Sequence, residues 1–228
     1  MATYVISDIH SCYSKFKRSI PGDARKLILL GDCFNKGREQ KEMFAWVMKN
    51  RHNKKYVFVL GNAEVRMNNE VVRHFAPTQN KLYYDWFGTH DGYKNKNIAN
   101  VVIELIEEGK YKFEDFIDLT HKCYKWYHEE GNWIMAHASW QPGKSPKAQN
   151  KLNLVYDVDN FLTKLKKSDY QPQINSMYKD KKFIFGHTPV EAIAKVDNPP
   201  VILKEKFFFI DNGIFRTKNP IFYLKIGK

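Results

Sequence analysis

The chain opens with short apolar runs separated by polar stretches of helical period. Tyr4-Val5-Ile6 predicts a strand, and Tyr13 to Ile20 a short helix halted by Pro21-Gly22. Proline lacks the donor a helix interior needs and pushes the residue before it out of helical geometry. Lys26 to Leu30 and Tyr56 to Leu60 are apolar runs of strand length. Between them Glu39 to Asn50 predicts a helix, with Met43, Ala45, Trp46 and Val47 available for packing. Ala63 to Phe75 predicts another, ending before Pro77. This β-α-β-α-β-α rhythm predicts a parallel sheet covered by helices.

From Lys81 to Tyr127 the period is helical. Ile98, Val101, Val102, Leu105 and Ile106 share one stripe, and Phe113, Phe116, Ile117 and Leu119 begin another. A helical cap at about 81–127, inserted between two sheet halves, is expected. Four later apolar runs, Trp133 to Ala136, Phe183 to Phe185, Phe207 to Ile210 and Ile221 to Ile226, predict strands of a second, mixed sheet. The polar stretch Gln141 to Leu152, with Pro142, Gly143 and Pro146, predicts a surface loop. No linker, repeat or low-complexity run divides the 228 residues, so a single domain over 1–228 is expected.

Hydrophobic residues make up 43% of the chain, and no apolar run approaches the ~20 residues of a membrane span. Ala2 to Ile6 runs straight into a strand pattern without a basic segment and long apolar region, so a cytoplasmic protein is expected. Cys12, Cys33 and Cys123 are odd in number and lack CxxC spacing. That spacing argues against a disulfide framework or a zinc site and predicts small, largely buried thiols. The formal charge is +12, from 37 Lys/Arg against 25 Asp/Glu. It favours anionic partners such as phosphorylated protein, nucleotides or nucleic acid. The basic residues are spread along the chain, so no nucleic-acid arm is read.

In parallel α/β sheets, ligands collect at the carboxyl ends of strands. Five of the predicted strands here end on a metal-ligating residue type. The first gives Ser7-Asp8-Ile9-His10, the second Gly31-Asp32 and the third Gly61-Asn62. Later ones end in Met135-Ala136-His137-Ala138 and Phe185-Gly186-His187-Thr188-Pro189. Two carboxylates, three imidazoles and one amide oxygen form an N/O donor set that suits two divalent ions, with Mn²⁺ placed before Fe or Zn²⁺. Any one Asp or His at a strand end is an ordinary turn former; five strand ends in this order carry the signal.

The series Asp8-Ile9-His10, Gly31-Asp32-Cys33-Phe34-Asn35-Lys36-Gly37, Gly61-Asn62-Ala63-Glu64, His137 and Gly186-His187-Thr188-Pro189 resembles the calcineurin-like metallophosphoesterase superfamily. The likeness is to its phosphoprotein phosphatase branch, which includes lambda-type phage phosphatases and symmetrical dinucleoside-tetraphosphate hydrolases. It runs through Phe209-Ile210-Asp211-Asn212-Gly213. The resemblance implies a central β-sandwich of mixed sheets flanked by helices. It implies one metal held by Asp8, His10 and His187, a second completed by Asn62 and His137, and Asp32 bridging them. It further implies hydrolysis of phosphate esters or anhydrides by a metal-bridged hydroxide.

The pattern breaks at the acid dyad. The family writes Gly-Asp-x-x-Asp-Arg-Gly and Asn-His-Glu; here Asn35-Lys36 and Ala63 stand in those places. The family's His protonates the leaving oxygen and its Asp orients that His, a contribution of ~10²–10⁴-fold for a general acid. Lys36 keeps a charge but loses the planar fork of Arg. Tyr156-Asp157-Val158-Asp159 lacks the family's later Arg, so Lys36, Arg38 and Arg66, with Lys144 in reserve, are the candidate phosphate contacts. His90, in the turn Trp86 to Tyr93, is the candidate for a relocated acid. Three readings follow. One is a metal-dependent phosphoesterase with a weakened dyad, suited to good leaving groups. The second is a pseudophosphatase that binds a phosphorylated or nucleotide ligand without turnover. The third is an introduced His-to-Ala change at position 63 in an active phosphatase.

Overall fold

The computed structural model describes residues 2–77, 98–166, 176–196, 199–216 and 221–227. Among these residues, ten strands form two five-stranded sheets. In the first, β1 (Ala2–Ile6), β2 (Ala24–Leu30), β3 (Tyr56–Val59) and β4 (Tyr124–Lys125) run parallel, and β10 (Leu224–Ile226) lies antiparallel beside β1. The second orders β5 (Tyr127–Glu130), β6 (Trp133–Ala136), β7 (Lys182–Phe185), β9 (Phe207–Phe209) and β8 (Val201–Leu203). Its three inner strands, β6, β7 and β9, are parallel, and β5 and β8 are antiparallel edges.

The apolar strand runs are continuous because both faces of each sheet are covered. Along β1 and β2, Val5, Ile28 and Leu30 point between the sheets, where they meet Met135, Ile184 and Ile210. The alternate residues Ile6, Leu27 and Leu29 point outward, toward Phe16 of α1 (Tyr13–Ser19), Phe44 and Val47 of α2 (Gln40–Asn50), and Val65 and Val72 of α3 (Asn62–Phe75). On the second sheet Phe183, Phe185, Phe207 and Phe209 turn outward. Phe183 and Phe207 stack at 5.2 Å, and Phe161 of α6 (Val158–Lys166) meets Phe185 edge-on at 5.0 Å. Each such buried ring is worth roughly 1.5–3 kcal/mol of transfer free energy. The period-2 alternation thus sorts side chains into an inter-sheet layer and two helix-covered layers.

Three expectations change. The helical stretch, as far as it is described, comprises α4 (Ile98–Glu107), α5 (Phe113–Asp118) and a π-turn at Leu119–Cys123, and it stops before Tyr127. Tyr124 pairs with Phe58 and Tyr127 with Ala136, so the region's end supplies an edge strand to each sheet. The short length of these strands hid them beneath the helical period. Residues 78–97 of the expected cap lie outside the described residues. The last strand covers only Leu224–Ile226 and joins the first sheet, with Thr3 opposite Ile226. Among the described residues no helix is long and apolar enough to cross a membrane.

Candidate metal centre

The parallel strands of both sheets point their carboxyl ends the same way, and the loops leaving them converge. Tight left-handed turns do the gathering: Asp8, His10, Asp32 and His187 have φ of 53°, 48°, 48° and 67°. Two glycines permit the close approach of the sheets. A Cβ at Gly31 would collide with the His137 ring, and one at Gly186 with the carboxylate of Asp8.

One half of the cluster is Asp8, His10 and Asp32, whose ligand atoms lie within 4.8 Å of one another. His10 Nδ1 lies 3.0 Å from the carbonyl of Phe34, so it carries the ring proton and donates it there. The Nε2 lone pair then faces Asp8 Oδ1 at 3.7 Å and Asp32 Oδ2 at 3.9 Å. Asp8 Oδ2 accepts the His187 backbone N–H at 2.8 Å, while its buried Oδ1 has no hydrogen-bond partner.

The other half is Asn62, His137 and His187. His137 Nδ1 lies 2.9 Å from the Leu30 carbonyl, which turns its Nε2 lone pair inward. That Nε2 is 3.1 Å from Asn62 Oδ1, 3.5 Å from Asp32 Oδ1 and 3.1 Å from His187 Nδ1; the last is 3.0 Å from Asn62 Oδ1. Turning the Asn62 amide end for end would let its NH₂ donate to these acceptors. With the oxygen facing in, every group presents an electron pair, the arrangement a cation requires. Asp32 directs one carboxylate oxygen toward each half. The resemblance groups His187 with Asp8 and His10, but its ring faces Asn62 and His137. Only its backbone reaches Asp8.

Electrostatics agree with an unbalanced anionic pocket. Burial, with Asp211 and Asp32 nearby, holds the Asp8 carboxyl well above its ordinary range. Burial pushes Asp211 up to about 6. The imidazoles move the other way: burial brings His10 down to about 4 and His187, with His137 beside it, to about 3. The rings are neutral with inward lone pairs; Asp8 and Asp211 are raised, whereas, despite burial, the imidazoles beside Asp32 hold its carboxyl below its ordinary range. Buried acids of this kind otherwise need a partner or lose their charge. The N/O donors, the orphaned Asp8 oxygen and the tautomers set by Phe34 and Leu30 all fit divalent ions.

Other candidate residues fall around this cluster. Asn35 and Lys36 both take left-handed φ (75° and 54°), folding the loop back over His10 so that Lys36 Nζ reaches His10 Nε2 at 3.0 Å. The exposed Lys36 must swing aside for an ion on that nitrogen. Ala63 is buried (1% exposed), and its N–H donates to Asp32 Oδ1 at 2.8 Å. Arg66 is one helical turn beyond Asn62 and stacks over the Tyr156 ring at 5.9 Å. It therefore lies near Tyr156-Asp157-Val158-Asp159, the segment that lacks the family's later Arg. Arg38 and Lys144 are exposed on loops, and His90 lies outside the described residues.

Three neighbours were not singled out from sequence. Glu64 is fully buried and binds the backbone of the Asp32 loop. Asp211 is 1% exposed and raises Asp8. Phe215 touches both His10, edge-on at 5.0 Å, and Lys36, whose Nζ is 4.2 Å above its ring. For Asp211 the signal was available: it follows β9 as the ligands follow β1, β2 and β7.

A family model of calcineurin-like phosphoesterases matches residues 1–215. The chain belongs to that family. Among solved structures, a protein described as a candidate diadenosine tetraphosphatase superposes with TM-score 0.58 at 12% identity, covering 99% of this chain and 92% of that one. A cold-active protein-tyrosine phosphatase from a psychrophilic Shewanella species gives 0.57 at 12%, covering 98% and 74%. A protein serine/threonine phosphatase from Saccharomyces cerevisiae gives 0.52 at 12%, covering 92% and 67%. At such identities these likenesses concern the fold. No curated protein sequence matches significantly. Membership of the family implies divalent metal ions, and Asp8, His10 and Asp32 form a candidate group for one.

Proposed function

We propose that this member of the family is a divalent-metal-dependent phosphoesterase acting on phosphate esters or anhydrides. The observation that carries the reading is the convergence of inward lone pairs from Asp8, His10, Asp32, Asn62, His137 and His187. Asp8, His10 and Asp32 would hold one ion; Asp32, Asn62, His137 and His187 the other. The hard-to-borderline donors suit Mn²⁺ first, then Fe or Zn²⁺. Bound there, the ions would polarise a phosphoryl oxygen and acidify a water.

The chain's own residues supply the rest. Lys36 offers a mobile point charge at the mouth, and Arg66, on the first turns of α3, a planar one. Phe215 walls the His10 side. Neither Asn35 nor Ala63 carries a transferable proton, so the two positions of the family's dyad supply none to the leaving oxygen. Nucleotide anhydrides, aryl esters and diesters therefore suit this site better than alkyl monoesters. The +12 charge fits a phosphorylated protein or nucleotide as the anionic partner.

A second reading, ligand binding without turnover, is favoured by one feature. Ala63 stands, buried, at the acid's position and has no proton to give. One comparison separates the two: Mn²⁺-dependent hydrolysis of bis-p-nitrophenyl phosphate, p-nitrophenyl phosphate and diadenosine tetraphosphate, with Asp32→Asn as control. Turnover abolished by Asp32→Asn supports the enzyme. Metal-dependent binding of these ligands without turnover supports the binding protein.

A further inference from the structure

A second set of ligating side chains lies far from the strand carboxyl ends. His52 follows α2 and precedes β3, and Cys123 immediately precedes β4, so both sit at the amino ends of neighbouring parallel strands. His52, Asp118 and Cys123 each present one ligand atom, all within 4.8 Å of one another. Cys123 Sγ is 3.7 Å from His52 Nδ1 and 3.9 Å from Asp118 Oδ2. His52 Nε2 is 2.9 Å from that same carboxylate oxygen.

Local backbone geometry creates this meeting. In an α-helix, residues five apart point about 140° away from each other. The π-turn at Leu119–Cys123 winds more residues into each turn and brings Cys123 round to the side of Asp118. Such turns are rare and concentrate at functional sites. One thiol, one imidazole and one carboxylate from two chain segments are thereby placed together, which the spacing of cysteines in the sequence does not reveal.

We propose that His52, Asp118 and Cys123 bind a zinc-class divalent ion through sulfur, nitrogen and oxygen, with solvent completing the coordination. Binding exchanges the thiol proton of Cys123 for the ion. A tetrahedral ion with bonds of 2.0–2.3 Å holds ligand atoms about 3.3–3.6 Å apart. One ring nitrogen of His52, one oxygen of Asp118 and Cys123 Sγ lie within 4.8 Å of one another, and rotation of a His52 side chain that is 64% exposed can close that spread. Sulfur selects zinc-like ions over Mn²⁺, Mg²⁺ or Ca²⁺. Two cations also approach Asp118 and limit the affinity. Lys122 pairs with Oδ1 at 3.1 Å through a side chain 76% exposed, and Arg51 Nε is 3.5 Å from Oδ2. Arg51 has partners of its own in Asp115 and the Met48 carbonyl. An ion here would staple the end of α2 to the π-turn and so hold the two-residue edge strand β4 in place.

The test is a Co²⁺ titration of the full chain, followed by its thiolate-to-metal charge-transfer absorption. The centre at Asp32 contains no sulfur ligand, so the band reports this site alone and does not depend on the phosphoesterase reading. The wild-type protein is expected to show the band, to lose it on adding Zn²⁺, and to lack it as Cys123→Ser. His52→Ala, at an exposed position that folding tolerates, is expected to weaken apparent Co²⁺ affinity at least tenfold, as is Asp118→Asn. Asp32→Asn should leave the band unchanged. No band in the wild type, or a band surviving in Cys123→Ser or lost in Asp32→Asn, overturns the proposal. So does unaltered affinity in both His52→Ala and Asp118→Asn, which would mean a lone thiol taking up metal.

Discussion

Glu64 and Asp32 clasp each other across the junction of α3 and the β2 loop. Glu64 Oε2 accepts the Asp32 backbone N–H at 2.8 Å, and Asp32 Oδ1 accepts the N–H of Ala63, beside Glu64, at 2.8 Å. The same glutamate binds the N–H groups of Gly61 and Cys33. Burial and Asp32 push its carboxyl up to about 8 against these three donors. The clasp fixes the carboxylate that faces both halves of the centre.

Glu64→Gln places an amide NH₂, which cannot accept, among three backbone donors. Leaving a buried N–H unsatisfied costs about 1–3 kcal/mol, and loss of a group that orients a ligand weakens metal binding ~10–100-fold. Thermal unfolding with chelator and calorimetric Mn²⁺ titration check the two effects. Unchanged Mn²⁺ affinity would show that the clasp does not position Asp32.

Metal uptake should be driven by pH through carboxyls rather than imidazoles. A carboxyl raised in the metal-free protein keeps its proton up to the raised value, and the charge of a nearby cation drives that proton off. Asp8, Asp211 at about 6 and Glu64 at about 8 are such groups, whereas His10 and His187, at about 4 and 3, are already neutral at pH 6. Affinity therefore rises with pH up to about 8 and then levels. Asp211→Asn removes one cause of the rise at Asp8, so its curve shifts to lower pH. Calorimetry in buffers of different protonation enthalpy counts the protons released; a curve governed by a group near 6.5 and insensitive to Asp211→Asn would contradict this.

Restoring the dyad should need both halves. Ala63 is buried, so Ala63→His alone adds a ring to filled space, at a cost of about 1–3 kcal/mol. Without a carboxylate at position 35 that imidazole lacks the group that would orient it. Ala63→His with Asn35→Asp is expected to raise turnover of alkyl phosphates ~10²-fold or more, with little gain on p-nitrophenyl esters. A full gain from Ala63→His alone would instead indicate an otherwise intact enzyme.

Gly186→Ala should damage the centre without replacing a ligand. The new methyl would run into Asp8 Oδ2 and Ser7, forcing the two sheets' loops apart. Mn²⁺ affinity is expected to fall more than tenfold while the circular dichroism spectrum stays native. Wild-type affinity would mean the loops have slack that the close packing does not suggest.

Most of the sheet architecture was legible because apolar runs of strand length between turn residues leave few alternatives. The ligand types at five strand ends followed from the same regularity: parallel strands end on one side, so polar residues just past each run must meet. Sequence could not show which ring faces which half, since His187 is oriented by its own left-handed turn and by Asp8. Nor could it show β4 and β5, too short to interrupt a helical period, or the partners of Ile226. Glu64 and Asp211 act through burial, a property of the assembled layers and not of local pattern. The sequence by itself determined the inventory of donors and their order. Tertiary structure decided their pairing, because pairing depends on distances closed by contacts remote along the chain.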